Sequence, residues 1–399
     1  MKILHTADWH IGQNFYDYDR TKEHLHFLHW LKRQVQERQV DVLLIAGDVF
    51  DNPNPSAGAQ RILYRFLREV TALRPGLQIV MIAGNHDSGA RLEAPNPLLE
   101  EMNVSVRGLA ARKTGSGEID YEQLIVPLTK DGNIVAWCLA VPYLRQGDYP
   151  EAENYAQGVA ALYRLLYDRI EDKTQPVIAM GHLQATGAEL SENDRSERTV
   201  IGGLEAVSPE AFDRRIAYTA LGHLHRAQRV SGRENVRYAG APLPMSFAEK
   251  NNKQGVTLVE ITGTAVAIER IGFEPLALLL SIPAKPEPPA NVLEEIDRLP
   301  DGEITPASPY LEVKVLITEP EPSLRHRIEE ALQNKSVRLA RISAVTPKSE
   351  KDLPRISGEL QSIDPMEMAS DIFRKRFGGE EMPDEMKKLL QIVIREAEQ

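Results

Sequence analysis

The sequence predicts an α/β fold whose strands deliver their chemistry at their carboxyl ends. Two observations carry that expectation. Up to about Met102, short apolar runs alternate with stretches of helical periodicity, the pattern of parallel βαβ units with right-handed crossovers. In addition, five apolar runs end in glycine or another small residue and pass directly into Asp, Asn or His. Lys2–Thr6 leads to Asp8-Trp9-His10, Val42–Ala46 to Gly47-Asp48 and on to Asp51, and 79–83 to Gly84-Asn85-His86-Asp87. Further on, 176–180 leads to Gly181-His182 and 217–221 to Gly222-His223-Leu224-His225. Open α/β sheets gather ligands at such strand ends, where loops converge. One polar Gly-Asn-His-Asp stretch would read as a turn; five repeats of the pattern make a site.

The elements follow in chain order. Residues 20–38 show helical periodicity through Leu25, Leu28, Leu31 and Val35, and 56–73 follow with Ser56 as N-cap. Short runs at 104–106, 124–128 and 134–141 read as strands, with Asp131-Gly132 as a hairpin turn. A helix at 157–170 precedes the strand before His182, and β structure at 236–238, 255–261 and 265–271 completes a large domain spanning 1–272. Prolines 283, 286, 288 and 289 then predict a stiff connection lying outside any element. Around it, 276–282, 291–299, 310–317, 323–333 and 337–345 form a strand–helix–strand–helix–strand pattern. In 310–317, Leu311, Val313, Val315 and Ile317 alternate with Glu312 and Lys314, which predicts one wet face. This second domain, 273–345, carries no cluster of metal-type residues, so a covering role is expected. Residues 346–363 read as a charged linker. The tail 364–399 offers two amphipathic helices, the first capped by Asp364, Pro365 and Glu367 and stopped at Gly378-Gly379. Two short helices behind a linker gain little alone, so they are expected to fold back on the body or, as favoured here, to dock on a helical partner.

Composition narrows the class. The hydrophobic share of 42% and charged share of 26% are those of an ordinary soluble protein. A net charge of −11 argues against a free-standing nucleic-acid binder, which usually presents a basic face. The one cysteine, Cys138, lies in an apolar run and excludes an internal disulfide, which fits a reducing cytoplasm. The first residues have no long apolar core, and no run approaches the ~18 apolar residues of a membrane span, so neither a secretory leader nor a membrane partner is expected.

The ligand inventory sets the chemistry. Asp8, His10, Asp48, Asn85, His182, His223 and His225 offer imidazole nitrogens and hard oxygens without a thiolate, a mixture suited to octahedral divalent metals such as Mn²⁺. Seven side chains exceed the needs of one ion and suit two ions ~3.5–4 Å apart. Asp51 reads as a turn or supporting residue, His5 as core, and His24, His26, His29 and His326 as solvated helix positions. Arg20, Arg61, Arg145 and Arg226 are candidates for phosphate contacts, against the ordinary reading of each as a surface charge, and Tyr143 is a candidate for base stacking.

In order, Asp8-x-His10, Gly47-Asp48-x-x-Asp51, Gly84-Asn85-His86-Asp87, Gly181-His182 and Gly222-His223-x-His225 resemble the signature of the calcineurin-like metallophosphoesterases. The stretches around Asp8, Asp48 and Asn85 look most like those of members that process DNA ends with an SMC-like ATPase. The resemblance implies a four-layer αββα sandwich with a small α+β capping domain and a C-terminal helical tail that binds the ATPase. It implies one metal held by Asp8, His10 and His225, another by Asn85, His182 and His223, and a bridging Asp48. His86 would contact phosphate and protonate the leaving oxygen, and Asp87 would orient His86. The expected activity is a Mn²⁺-dependent exonuclease and endonuclease on DNA, acting as a homodimer within a heterotetramer. A stand-alone phosphatase using the same metals is the alternative, favoured by the acidic balance. An intact ligand set argues against a non-catalytic scaffold.

Overall fold

A computed structural model describes residues 1–115, 117–188, 206–263, 265–318 and 321–346, together with 373, 382–383 and 386–387. The chain divides into two compact units, Met1–Val345 and Thr346–Gln399. The linker and tail-helix expectations therefore lie almost wholly outside the described residues.

The first unit begins with β1 (Lys2–Thr6), a small hairpin β2 (Asn14–Phe15) and β3 (Tyr18–Asp19), and helix α1 (Thr21–Glu37). There follow β4 (Val42–Ala46), α2 (Ala57–Leu73), β5 (Gln78–Ile82), the short helices α3 (Gly89–Glu93) and α4 (Asn96–Leu99), and β6 (Val104–Arg107). Next come β7 (Ile125–Lys130), β8 (Asn133–Ala140), α5 (Tyr155–Arg169), β9 (Val177–His182), β10 (Tyr218–Gly222), β11 (Gln228–Val230) and β12 (Arg233–Tyr238). Strands β13 (Gly255–Thr262) and β14 (Ala265–Gly272) then return to the first sheet. The two six-stranded sheets have the orders β14-β13-β1-β4-β5-β6 and β11-β12-β10-β9-β8-β7. Strands β1, β4, β5 and β6 are parallel, as are β8, β9, β10 and β12.

The apolar runs explain the layering. In β4, Leu43 and Ile45 belong to the core beneath α1 and α2, while Val42, Leu44 and Ala46 belong to the core between the sheets. In β9, Val177 and Ala179 pack with α5 side chains such as Val159 and Leu166, and Ile178 and Met180 face the other sheet. Strands covered on both faces need continuous apolar sequence. The result is the αββα sandwich, with Cys138 buried between its sheets.

Helix caps follow their sequence signals. The Ser56 side chain accepts from Ala59 N and Asn154 from Gln157 N. The Asp131-Gly132 turn takes positive φ at both residues (51° and 80°), joining β7 to β8.

A third sheet, β15 (Leu279–Glu287), β16 (Tyr310–Leu316) and β17 (Arg338–Val345), is flanked by α6 (Pro289–Asp297) and α7 (Leu324–Ala331). Two expectations are corrected here. The proline-rich stretch does not stay outside an element, because β15 runs through Pro283 and Pro286. It can do so as an edge strand with an irregular register between Ile282 and Glu287, where missing N–H donors cost no ladder bonds. The second face of β16 is also not simply wet. Tyr310 is fully buried against Phe15 and Phe247, and Glu312 is buried while accepting from Ser281 Oγ. Arg338 Nη1 donates to the Tyr310 hydroxyl, which itself donates to Glu23, and Tyr18 Oη donates to Leu339 O. This polar and aromatic seam holds the small sheet to the larger part.

Two helix-face expectations also change. Arg20, a candidate phosphate contact, is completely buried; it pairs with Glu23 (2.8 Å) and donates to Pro244 O. His24 is buried rather than solvated, whereas Leu25 is 41% exposed. The inward stripe is His24, Leu28, Leu31 and Val35, spaced at i, i+4, i+7 and i+11. The His24 ring reaches the carbonyls of Trp9 (2.9 Å) and Arg20 (3.1 Å), which steadies the loop between Asp8 and His10.

Candidate metal centre

Every strand-end cluster arrives at one place. The loops after β1 and β4 continue the parallel pairing, with Asp8 N donating to Gly47 O and His10 N to Asp48 O (both 3.0 Å). Trp9, between them, is fully buried edge-on against Phe27 and Phe66, and its Nε1 donates to Thr6 Oγ1. The indole pins the loop so that Asp8 and His10 turn to the opposite side.

The backbone there is strained. Asp8 (φ 54°), His10 (46°), Asp48 (47°) and His223 (103°) occupy the positive-φ region that costs non-glycine residues of order 1–3 kcal/mol each. Such strain persists only where surrounding contacts fix it, and it clusters at functional sites. Two glycines admit the close approach. A Cβ on Gly84 would stand 2.1 Å from Asp48 Oδ1, and one on Gly47 (φ 90°) would stand 2.2 Å from His182 Nδ1.

Asp8, His10 and His225 present ligand atoms within 4.8 Å of one another, and so do Asp8, Asp48 and His182. Asn85 Oδ1 lies 3.0 Å from His182 Nε2 and 3.1 Å from His223 Nδ1, so all seven expected ligands form one contiguous group. Each carboxylate is anchored by one oxygen only. Asp8 Oδ1 accepts from His223 N and Asp48 Oδ1 from His86 N (both 2.8 Å). Their Oδ2 atoms and His10 Nε2 are buried without hydrogen-bond partners. Buried polar atoms are seldom left so.

His182 sharpens the point. Its Nδ1–H donates to Ala46 O (2.9 Å), which turns Nε2 toward Asp48 Oδ2 (3.2 Å) and Asn85 Oδ1 (3.0 Å). A neutral ring would aim a lone pair at two oxygens, so a positive charge belongs between them: either a proton or a metal ion. Burial works against protonation, yet Asp48 and Asp8 push the imidazole up to about 9. Asp48 is held far below the usual carboxylate range, burial notwithstanding, by His182, His10 and His86. Burial pushes Asp8 up to about 6, against the pull of His182 and His225. Burial, reinforced by His182, brings His223 down to about 3 and keeps its ring neutral, as a metal ligand must be.

The structure adds a residue that no sequence motif marks. Glu249 is buried and sets Oε1 3.3 Å from His225 Nδ1, while Oε2 accepts from Met245 N. A carboxylate behind an imidazole fixes its tautomer and aims its other nitrogen at a metal. Asp51 is adjacent in a lesser way, its Oδ1 3.4 Å from His10 Nδ1.

One expected contact is corrected. Asp87 does not orient His86. Its carboxylate accepts from the backbone N–H groups of Gly84, Val49 and Phe50 at 2.9–3.1 Å, tying the loops after β4 and β5 together. His86 is instead held through Nδ1 by the Asp51 carbonyl (3.0 Å). A carboxylate that satisfies three buried backbone donors has little capacity left for a side chain. His86 also lies near enough to His10 and Asp48 to join a ligand group. Tyr143 stands edge-on to His182 with ring centroids 6.3 Å apart, its backbone N–H donating to Ala83 O. No helix among the described residues is long and apolar enough to cross a membrane.

Known proteins resemble the chain over most of its length. Residues 1–227 match the family model described as calcineurin-like phosphoesterase, and residues 276–377 match the one described as type 5 capsule protein repressor C-terminal domain. The SbcD component of the SbcCD nuclease of Rhodobacter capsulatus is 40% identical, with 88% of each chain covered. The same component from Escherichia coli K12 and from Bacillus subtilis is 31% and 29% identical, each with 98% of this chain and 96% of the relative covered.

Proposed function

The chain belongs to the calcineurin-like phosphoesterase family, and from that premise we propose that it is the SbcD-type nuclease component of an SbcC–SbcD complex, a dinuclear-metal phosphodiesterase that cuts DNA. The observation that carries the reading is that Asp8 Oδ2, Asp48 Oδ2 and His10 Nε2 are buried without hydrogen bonds, with Asp48 Oδ2 lying 3.7 Å from His10 Nε2 and 3.2 Å from His182 Nε2. This donor set of carboxylate oxygens, imidazoles and one amide fits two divalent ions, Mn²⁺ by the hardness of its ligands. Asp8, His10 and His225 would hold one ion and Asn85, His182 and His223 the other, with Asp48 shared. When bound, the pair supplies Lewis-acid stabilisation of charge on the phosphoryl group and a water acidified to near neutrality.

The chain's own residues prepare that chemistry. Glu249 holds His225 and Ala46 O holds His182, each presenting one ring nitrogen inward. The Asp51 carbonyl keeps the proton of His86 on Nδ1 and leaves Nε2 for the substrate. In its protonated form His86 can hydrogen-bond the phosphate and pass the Nε2 proton to the leaving oxygen. Asp87 acts as a positioning residue by closing the 84–88 turn on the loop after β4.

The relatives' shared name supports the partner in this reading, and the sequence supports the place. The 273–345 domain covers the route of duplex DNA, and the 364–399 segment docks on the ATPase SbcC. The enzyme works as a homodimer in a cytoplasmic heterotetramer, where the buried Cys138 thiol stays reduced. Purified protein with Mn²⁺ should cut hairpin DNA and hydrolyse p-nitrophenyl phosphate poorly. The reverse preference would replace the nuclease reading with the phosphatase one.

A further inference from the structure

A cavity of about 560 Å³ opens where the edge of the first sheet, β13 and β14, meets β11 and β12 of the second. Arg226, Arg237, Lys253 and Arg270 all line it, and among the described residues no Asp or Glu does. In a chain of net charge −11, Lys253 and Arg270 give this concavity a local potential opposite to the total. Arg237 is already paired with Glu234 on the outer side. Arg270 is different. Its Nη2 donates to Lys253 O at 3.3 Å, but its Nη1 is buried without a hydrogen-bond partner. Burial, with Arg237 behind it, brings its pKa down to about 10, the direction expected of a guanidinium lacking a counter-charge.

A planar guanidinium with donors to spare, a nearby ammonium and amide side chains (Gln228, Asn252) describe a receptor for a tetrahedral oxyanion. The volume falls in the range of small-ligand sites. The position also matters. Arg226 follows His225 directly, and Ala248 of the lining precedes Glu249, the residue that orients His225. The cavity and the metal centre are therefore built on the same two segments.

We propose that this cavity is a second, non-catalytic phosphate site, taking a phosphate group of a polynucleotide strand or of a free nucleotide. The proposal rests on the nuclease reading only for the source of the phosphate. Binding can be measured on the full-length protein in EDTA, where no turnover occurs, using a fluorescein-labelled single-stranded oligonucleotide in one arm and AMP or inorganic phosphate in the other. Lys253 is exposed, so Lys253→Glu tests the site without disturbing the core, and Arg270→Gln is the second variant. Lys253→Glu should weaken the oligonucleotide by about tenfold and flatten the logarithmic salt dependence by about 0.7 for one lost phosphate contact. That result makes the strand the source. A thermal-midpoint rise with AMP or phosphate that wild type shows and Lys253→Glu lacks, with oligonucleotide binding unaltered, makes a free nucleotide or phosphate the source. If Lys253→Glu melts like wild type and binds all three ligands as tightly, the proposal is overturned, whether or not Arg270→Gln folds. Failure of the nuclease reading would look different: wild type would bind these anions yet hydrolyse no phosphodiester with Mn²⁺.

Discussion

Replacing Glu249 with Gln removes one negative charge from behind His225 while keeping the shape of the side chain. The carboxylate is buried and serves two donors, His225 Nδ1 at 3.3 Å and Met245 N at 2.9 Å. Burial opposes its charge, but those hydrogen bonds hold it below the usual glutamate range, so the pair is electrostatically matched. A glutamine can accept from only one of the two donors through its single oxygen, and its amide then faces the other. Loss of such a partner typically costs 10–100-fold in metal affinity, about 1.4–2.8 kcal/mol. Calorimetric titration with Mn²⁺ should therefore show one of two binding events weakened by that factor, the one assigned to Asp8, His10 and His225, with the other little changed. Glu249→Ala should in addition lose about 1 kcal/mol of stability, because the half-buried Met245 N–H would lose its acceptor. Two unaltered binding events in Glu249→Gln would refute the orienting role.

Three other outcomes follow from the same geometry. His86→Ala should keep both metals and lose about 10²–10⁴-fold in turnover, whereas Asp48→Ala should fail to retain the pair; metal analysis of the two proteins checks the distinction, and an empty His86→Ala site would make His86 a ligand. Gly84→Ala should displace Asp48, since the new Cβ would stand 2.1 Å from Oδ1 and 2.4 Å from the backbone N; Mn²⁺ binding measured on the folded variant reports it, and unchanged affinity would contradict the close-packing argument. Burial, helped by Arg20, lowers His24 from its ordinary 6.5 to about 4, so the unfolded chain takes up this proton first as pH falls. Its stabilising contribution is complete above pH 6.5 and declines toward pH 4. Wild type should therefore lose about 2 kcal/mol relative to His24→Gln between pH 6.5 and 5 in urea titrations; a constant difference would show that His24 is not held neutral.

The strand-end clusters are legible because each combines a buried apolar run with a glycine and a metal-type side chain, and close backbone approach requires that combination. Glu249 is not legible. It lies 24 residues beyond His225 in a turn without a motif, and only closure of that turn on the β10 loop brings the two together. His24 reads as solvated because Leu25 is the more obvious apolar residue, although the i, i+4, i+7 spacing from 24 describes the inward face better. Prolines 283 and 286 look like breakers since sequence cannot say that β15 is an edge strand. Motif alone puts Asp87 behind His86; its three backbone hydrogen bonds are a tertiary fact. The acidic total charge points away from a phosphate-binding surface because it averages over a cavity lined by Arg226, Arg237, Lys253 and Arg270.

Seven side chains from five strand ends are proposed to hold two metal ions around Asp48. Anomalous diffraction from crystals grown with Mn²⁺ tests this directly. The map should show two peaks about 3.5–4 Å apart, one beside Asp8, His10 and His225, the other beside Asn85, His182 and His223, with an Asp48 oxygen contacting both. A single peak, or two peaks that leave Asp48 uncoordinated, would contradict it.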